Sequence, residues 1–369
     1  MATLDNVFVL DFSTLLPGPM ATLLLADAGA TVVKIERPGQ GDEMRNYQPQ
    51  IDGTSVNFAL LNRAKRSIAI DLKSPDAKAQ LRPLLEKADI IVEQFRPGVM
   101  QRLGLGYDDV RAINPDIIYC SITGWGQTGP KALEAGHDLN YMAETGVLGL
   151  TVGADGAPCL PQILAADIAG GAYPAMINIL LALIHRDRTG EGAQIDVAMG
   201  ENLFPFIYWA LGNARALGRW PVPGRETVTG GTPRYDIYRT RDGRHIAAAP
   251  LEDKFWATFT RIIGLPEELR DDATAPAATR AAVAKLVAER DASDWMDAFA
   301  GHDVCCSLVA SLEEALQDPH WNARSVFERA VGTPAGTVAT IPSLIAPAFR
   351  AEAVEAAFPG LGEANQQLA

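Results

Sequence analysis

VFVLDFSTLLPGPMATLLLADAGATVVKI, residues 7–35, reads as a strand, a turn, a helix and a second strand. Residues 7–12 form a short apolar run ending on Asp11 and Phe12. Pro17-Gly18-Pro19 then opens a helical pattern over 20–28, and Gly29 closes it. Proline suits the first turn of a helix and glycine the position after the last. The β-branched run 31–35 is the second strand. Working outward, 67–72, 89–93 and 116–122 read as further strands, and 74–87 as a helix with Leu81, Leu84 and Leu85 on one face. Strands separated by helical segments predict an α/β fold built on a parallel sheet with helices on its faces.

The pattern changes along the chain. Residues 131–200 read as mainly helical, and 168–184 as a buried helix interrupted by Pro174 and Asn178 rather than a membrane span. Pro221, Pro223 and Gly224 mark a linker. Residues 235–238 and 245–249 flank Arg241-Asp242-Gly243-Arg244, an Asp-Gly hairpin signal. Helices are expected over 252–263, 276–289, 293–300 and 311–330. The Pro-, Ala- and Gly-rich tail, 331–369, is expected to return to the first domain. The expected domains are therefore 1–200 and 326–369 as one large unit, a linker at 201–225, and a smaller α+β domain at 226–325.

The length of 369 residues suits two domains. With 48% hydrophobic and 21% charged residues, a sizeable core is available. Lys plus Arg number 32 against 45 Asp plus Glu, a net charge of −13. That sign argues against nucleic acid or an anionic membrane as partner. Cys120, Cys159, Cys305 and Cys306 contain no CxxC pair, so neither a metal site nor a disulfide scaffold is expected. No signal peptide is apparent at residue 1, and a reducing, cytoplasmic setting is expected.

The first strand–helix turn invites a dinucleotide reading, with Glu36 as a ribose ligand. The GxGxxG fingerprint is absent, however, and so is a Walker loop. Basic residues do gather in this half: Arg37, Arg63, Lys65, Arg66, Lys73, Arg96 and Arg102. Several follow strand ends, where open α/β sheets bind ligands. They read either as a solvated surface or as a site for a phosphate-bearing ligand. Of the five histidines, His185, His245, His302 and His320 read as structural. His137 follows a glycine-rich loop at 123–130, so it reads equally as a cap or core residue and as a catalytic base. Asp167 enters the longest apolar helix. It reads as an N-cap, as a carboxyl whose pKa burial raises, or as both.

Several segments together resemble the family III CoA-transferase superfamily, and within it the α-methylacyl-CoA racemases. They are Leu16-Pro17-Gly18-Pro19, Val33 through Gly39, Asn62-Arg63, Asp71-Leu72-Lys73, Asp89 through Gly98, Arg102-Leu103-Gly104 and the loop Gly124–Pro130. The narrower resemblance rests on Gly136-His137-Asp138 through Tyr141, on Asp167, and on Leu251-Glu252 ahead of Phe255. It implies a Rossmann-like large domain, a small domain between its two parts, and an interlocked homodimer.

It also implies an acyl-CoA thioester substrate, with CoA carried as part of that substrate and no separate cofactor. The catalytic residues implied are His137, Asp167 and a supporting Glu252. The CoA contacts implied are Arg37, Leu72, Lys73, Phe95, Arg96, Arg102, Gly136, Asp138, Asn140 and Tyr141. The expected reaction inverts the α-carbon of a 2-methylacyl-CoA. The alternatives are CoA transfer between carboxylic acids through an acyl anhydride on Asp167, and CoA binding without turnover. Cys305-Cys306-Ser307-Leu308 departs from the Pro-Val pair often found in relatives.

Overall fold

In the computed structural model, strand β1 (Phe8–Asp11) runs through the loop 12–16 into helix α1 (Pro17–Asp27), and β2 (Thr31–Glu36) follows. Residues 2–153, 155–333, 336–351 and 356–368 are described. A small hairpin, β3 (Gln50–Ile51) and β4 (Thr54–Ser55), leads into α2 (Val56–Asn62). Then come β5 (Arg66–Ala69), α3 (Ala77–Leu85), β6 (Ile90–Glu93), α4 (Val99–Arg102), α5 (Tyr107–Arg111) and β7 (Ile118–Thr123). Helix α6 (Asp138–Glu144), a π-helical segment (Ala166–Ala172), α7 (Tyr173–Thr189) and β8 (Ala193–Ala198) follow. The strands form one six-stranded sheet in the order β5-β2-β1-β6-β7-β8, with every neighbouring pair parallel.

The register explains the core. Leu10 lies opposite Val33 and Ile91, and Ile91 lies opposite Tyr119, so one apolar row crosses the sheet. Leu81, Leu84 and Leu85 of α3 and Val110 of α5 cover that row. Each fully buried large aliphatic side chain contributes about 1.5–3 kcal/mol relative to an exposed one. Helices α1 and α7 pack side by side, and α7 lies against β7 and β8. These are the two covered faces that a parallel sheet requires.

By its internal contacts the chain divides into two compact units. The first comprises Met1–Val147, Pro161–Phe206 and Arg324–Ala369, and the second Leu148–Leu160 and Ile207–Ala323. The tail joins the first unit through backbone hydrogen bonds. Ala351 N–H donates to Asp27 O at 2.8 Å, Ala64 N–H to Ala357 O at 3.0 Å, and Ala364 N–H to Ser67 O at 2.9 Å.

The second unit contains α8 (Tyr208–Leu217) and the hairpin β9 (Asp236–Arg239) and β10 (His245–Ala248), turned at Gly243, whose φ is +82°. Helices α9 (Asp253–Ile263), α10 (Pro276–Val287) and α11 (Ala292–Phe299) bury Trp256, Phe259, Val283, Trp295 and Phe299 together. Strand β11 (Cys306–Leu308) adds antiparallel to β10. Short helices α12 (Leu312–Gln317) and α13 (Pro319–Ala323) follow. In the tail, β12 (Ala330–Thr333) pairs with β13 (Gly336–Ala339) and β14 (Ala356–Ala357).

Four expectations change. Residues 193–198 are not helical but form the sixth strand, opposite 118–123. The helix expected over 311–330 is broken at Asp318 before Pro319 and ends by Ala323. The presumed linker at 201–225 carries α8. The apolar helix is buried on one side only: Ala175, Met176, Ile179, Ala182 and Leu183 are covered, while Ile177, Leu181 and Ile184 are exposed. The whole run Ala166–Thr189 is long and apolar enough to cross a membrane by length and composition alone.

Candidate functional site

The strand order reverses direction between β1 and β6, since β2 lies on one side of β1 and β6 on the other. Open α/β sheets bind ligands in the crevice such a reversal opens at the C-terminal strand ends. A cleft of about 410 Å³ lies there. Leu15 and Pro17 line it from the loop after β1, Gln94 to Pro97 from the loop after β6, Thr123 to Trp125 from the end of β7, and Met199 from beyond β8. Glu134 to His137, Asn140, Tyr141 and Asp167 complete its wall.

The loop after β1 is held from beneath by buried charges. Lys34 Nζ donates to Ser13 O at 2.7 Å and lies 2.9 Å from Asp42 Oδ2. Asp42 Oδ1 in turn accepts Leu15 N–H at 3.1 Å, and Leu15 has a φ of +63°. Lys65 Nζ lies 3.1 Å from Asp11 Oδ2 and donates to Pro19 O, Thr22 Oγ1 and Asn62 Oδ1. A Cβ on Gly18 would stand 2.1 Å from Ser13 Cβ, so this turn demands glycine. Gly18 N–H donates to Gln94 Oε1 at 3.0 Å and ties the two loops together.

Tyr141 organises the opposite wall. Its ring meets Trp125 edge-on with centroids 5.1 Å apart, and its hydroxyl donates to Gly136 O at 2.5 Å. A Cβ on Gly124 would lie 2.3 Å from the Tyr141 ring, and one on Gly136 2.7 Å from it. Both glycines are therefore spaces that the tyrosine fills. His137 occupies the residue before α6, exposed, with its side chain not used as a cap; its N–H donates to Asn140 Oδ1 at 3.0 Å.

Asp167 is no N-cap. It is the second residue of the π-helical segment, half-buried, and its N–H donates to Asp138 Oδ1 at 2.9 Å. Burial pushes the Asp167 carboxyl up to about 6, with Asp138 adding to the rise and His137 opposing it. Burial also pushes the Tyr141 hydroxyl up to about 12, aided by Asp167 and Asp138.

Of the residues expected to serve a site, the cleft gathers Phe95, Arg96, Gly136, His137, Asn140, Tyr141 and Asp167. Asp138 is buried behind them. Arg37 follows β2, Leu72 and Lys73 follow β5, and Arg102 closes α4; these do not line the cleft, and Arg37, Lys73 and Arg102 are exposed. Glu252 belongs to the second unit, where it precedes α9, exposed and without a side-chain capping bond. That unit has a cleft of its own, lined among others by Phe255, Met296, Phe299, Cys305 and Cys306.

Two basic residues leave the ligand cluster. Arg63 is buried 2.8 Å from Asp27, and Lys65 is consumed by Asp11. Glu36 is not free for a ribose either, since Arg45 Nη2 lies 2.6 Å from its Oε1.

The sequence reading missed Gln94, Trp125 and Met199 as cleft residues. Gln94 and Trp125 lie inside quoted motifs, but only the joining of separate strand ends brings them together. It also missed Glu93, buried at the end of β6. Burial pushes the Glu93 carboxyl up to about 7, against a hydrogen bond from Ser121, and Phe95 N–H donates to its Oε2 at 2.8 Å.

Comparison with known proteins identifies the family. A family model described as CoA-transferase family III matches residues 4–365. The chain is 35% identical to human alpha-methylacyl-CoA racemase over 88% of its length and 82% of that protein. It is 33% identical to acetyl-CoA:oxalate CoA-transferase of Acetobacter aceti over 89% of the chain and 86% of the relative. The crystal structure of a CAIB/BAIF family protein from Brucella suis superposes with a TM-score of 0.85 and 30% identity, covering 100% of this chain and 98% of the other. With the match spanning nearly the full length, this chain belongs to CoA-transferase family III.

Proposed function

We propose that this chain is a racemase that inverts the α-carbon of 2-methylacyl-CoA thioesters by 1,1-proton transfer through an enolate. The observation that carries the reading is the presence of His137 and Asp167 in the wall of one cleft, with the Asp167 carboxyl raised to about 6. A thioester weakly acidifies its α-hydrogen, so inversion needs a base on one face of the carbon and an acid on the other. Neutral imidazole suits the base role near pH 7. A carboxyl with a raised pKa retains a proton to return. His137 removes the α-proton, the electron pair moves onto the thioester oxygen, and Asp167 protonates the opposite face. The reverse reaction exchanges the two roles.

Glu252 is assigned to hold the histidine tautomer, in the way a carboxylate supports other catalytic histidines. The exposed Arg96, Arg37, Lys73 and Arg102 are assigned to the phosphates of CoA, which enters as part of the substrate. A homodimer is part of the proposal.

The relationship to acetyl-CoA:oxalate CoA-transferase supports a second reading. There the ionised Asp167 attacks the thioester carbonyl, expels the CoA thiolate and becomes a mixed anhydride. That chemistry has no need of His137. Incubation of one enantiomer of a 2-methylacyl-CoA in D2O separates the two. Racemisation with deuterium entering the α-position is expected. CoA exchange into added carboxylates without α-deuteration would overturn the racemase reading.

A further inference from the structure

We propose that Asp138 is a positioning residue that sets Asp167 as a proton donor rather than a nucleophile, holding it by the main chain while keeping a second carboxyl group beside it. This inference rests on the racemase reading and concerns a residue that does not line the cleft.

Residues 137 and 138 are adjacent, yet they diverge. His137 is exposed and lines the cleft, whereas Asp138 is 6% exposed and turned into the protein. Asp138 is the first residue of α6, and its Oδ1 accepts Asp167 N–H at 2.9 Å. One peptide unit thus sends one side chain to the reacting space and the other to the backbone of the second proposed catalytic residue. The Asp138 carboxylate ties the backbone at Asp167 to the start of α6, next to His137.

The same contact has an electrostatic consequence. The titratable groups facing Asp167 are Asp138 and Tyr141 from α6 and His137 before it, and Arg96 and Glu134 line the same cleft. Two carboxyl groups close together disfavour joint ionisation. A proton donor benefits from that neighbour, while an attacking carboxylate is hindered by it. Burial raises the proton affinity of Asp167 most, and Asp138 is the second contributor.

The test uses full-length protein labelled with 13C at aspartate carboxyls, titrated by NMR, with Asp167→Asn assigning the Asp167 signal. Asp138→Asn keeps an oxygen acceptor for Asp167 N–H but removes the charge. Its Asp167 midpoint should fall by about one unit or more. Each unit removes up to about tenfold of the protonated form above the midpoint. Inversion of the enantiomer that His137 deprotonates should fall accordingly at pH 7.5, and the limb on which that rate falls with rising pH should move to lower pH. Asp138→Glu should restore much of both. If Asp138→Asn disturbs folding, Asp138→Ser supplies the comparison: it keeps a hydroxyl oxygen for Asp167 N–H without a carboxyl, and it should lower the midpoint likewise, an unmoved midpoint there overturning the inference equally.

An unmoved Asp167 midpoint in folded Asp138→Asn would overturn the inference. A wild-type protein that exchanges no α-hydrogen, but in which that midpoint still shifts, would instead overturn the racemase reading.

Discussion

Lys65 Nζ lies 3.1 Å from Asp11 Oδ2, and both side chains are sealed from solvent. Burial alone would raise the Asp11 carboxyl, but Lys65 and Lys34, with hydrogen bonds from Ser13 and Thr22, hold it well below the usual carboxylate range. The pair carries the turn that puts Leu15 and Pro17 into the cleft wall. Removing one member of a buried ion pair leaves an uncompensated charge, at a cost of about 3–5 kcal/mol. Lys65→Met should therefore lose about that much in urea unfolding. Adding Asp11→Asn should recover part of the loss. A Lys65→Met protein within 1 kcal/mol of wild type, by the measure of buried pairs in general, would show that the pair is not what holds the turn.

His137→Ala should abolish racemisation while leaving CoA-thioester binding largely intact. Acid–base groups contribute about 100- to 10,000-fold. One enantiomer should lose α-hydrogen exchange by that order, and the other, served by Asp167, should retain part of it. Chiral chromatography with deuterium counting reads both. Wild-type racemisation rates in this variant would remove the histidine from the mechanism.

Arg96→Ala with Arg102→Ala should weaken CoA thioesters but not pantetheine thioesters, which lack the nucleotide phosphates. Binding to wild type should also weaken with salt, because exposed charges are screened over about 8 Å at physiological ionic strength. Calorimetric titration at two salt concentrations measures both effects. Equal affinity for the two thioester classes in wild type would count against a phosphate site.

Glu93 makes stability depend on pH. Its folded-state pKa of about 7 lies above the ordinary 4.5, so the fold favours the protonated carboxyl. The stability it contributes is complete below about 4.5 and is lost as the pH rises through about 7. Glu93→Gln should remove that slope, which is about 3 kcal/mol across the window. Thermal unfolding at pH 5 and pH 8 tests it. A wild type and variant that lose stability in parallel over this window would show that Glu93 does not titrate there.

Local pattern made the first five strands of the large sheet legible and drew attention to His137 and Asp167, whose proposed catalytic roles came from the family resemblance. The sixth strand, Ala193–Ala198, was not legible, because Gln194 and Asp196 interrupt its apolar run and only pairing with the wholly buried β7 fixes it as strand. The charges of Arg63 and Lys65 looked like those of Arg96, and no spacing rule foretells that Asp27 and Asp11 lie within reach of them. The cleft partners Gln94 and Trp125 escaped notice for the same reason: sheet order, not sequence proximity, joins the loops after β1, β6 and β7.

A last prediction concerns which copy supplies Glu252. The resemblance implies a linked dimer, and α7 leaves Ile177, Leu181 and Ile184 exposed in the single chain. On the proposal, Glu252 of a second copy supports His137. His137→Ala and Glu252→Ala should each be inactive alone. Co-expressed, they should form mixed dimers in which one of the two sites holds both intact residues and regains activity, at most about half of wild type per mixed dimer. Linked subunits cannot exchange without unfolding, so mixing the two folded variants should restore nothing, whereas joint refolding should. Stability should also rise with protein concentration, as it does wherever folding and association are coupled. A monomer in sedimentation, or no recovery after co-expression of two inactive variants, would exclude a site completed by the second copy.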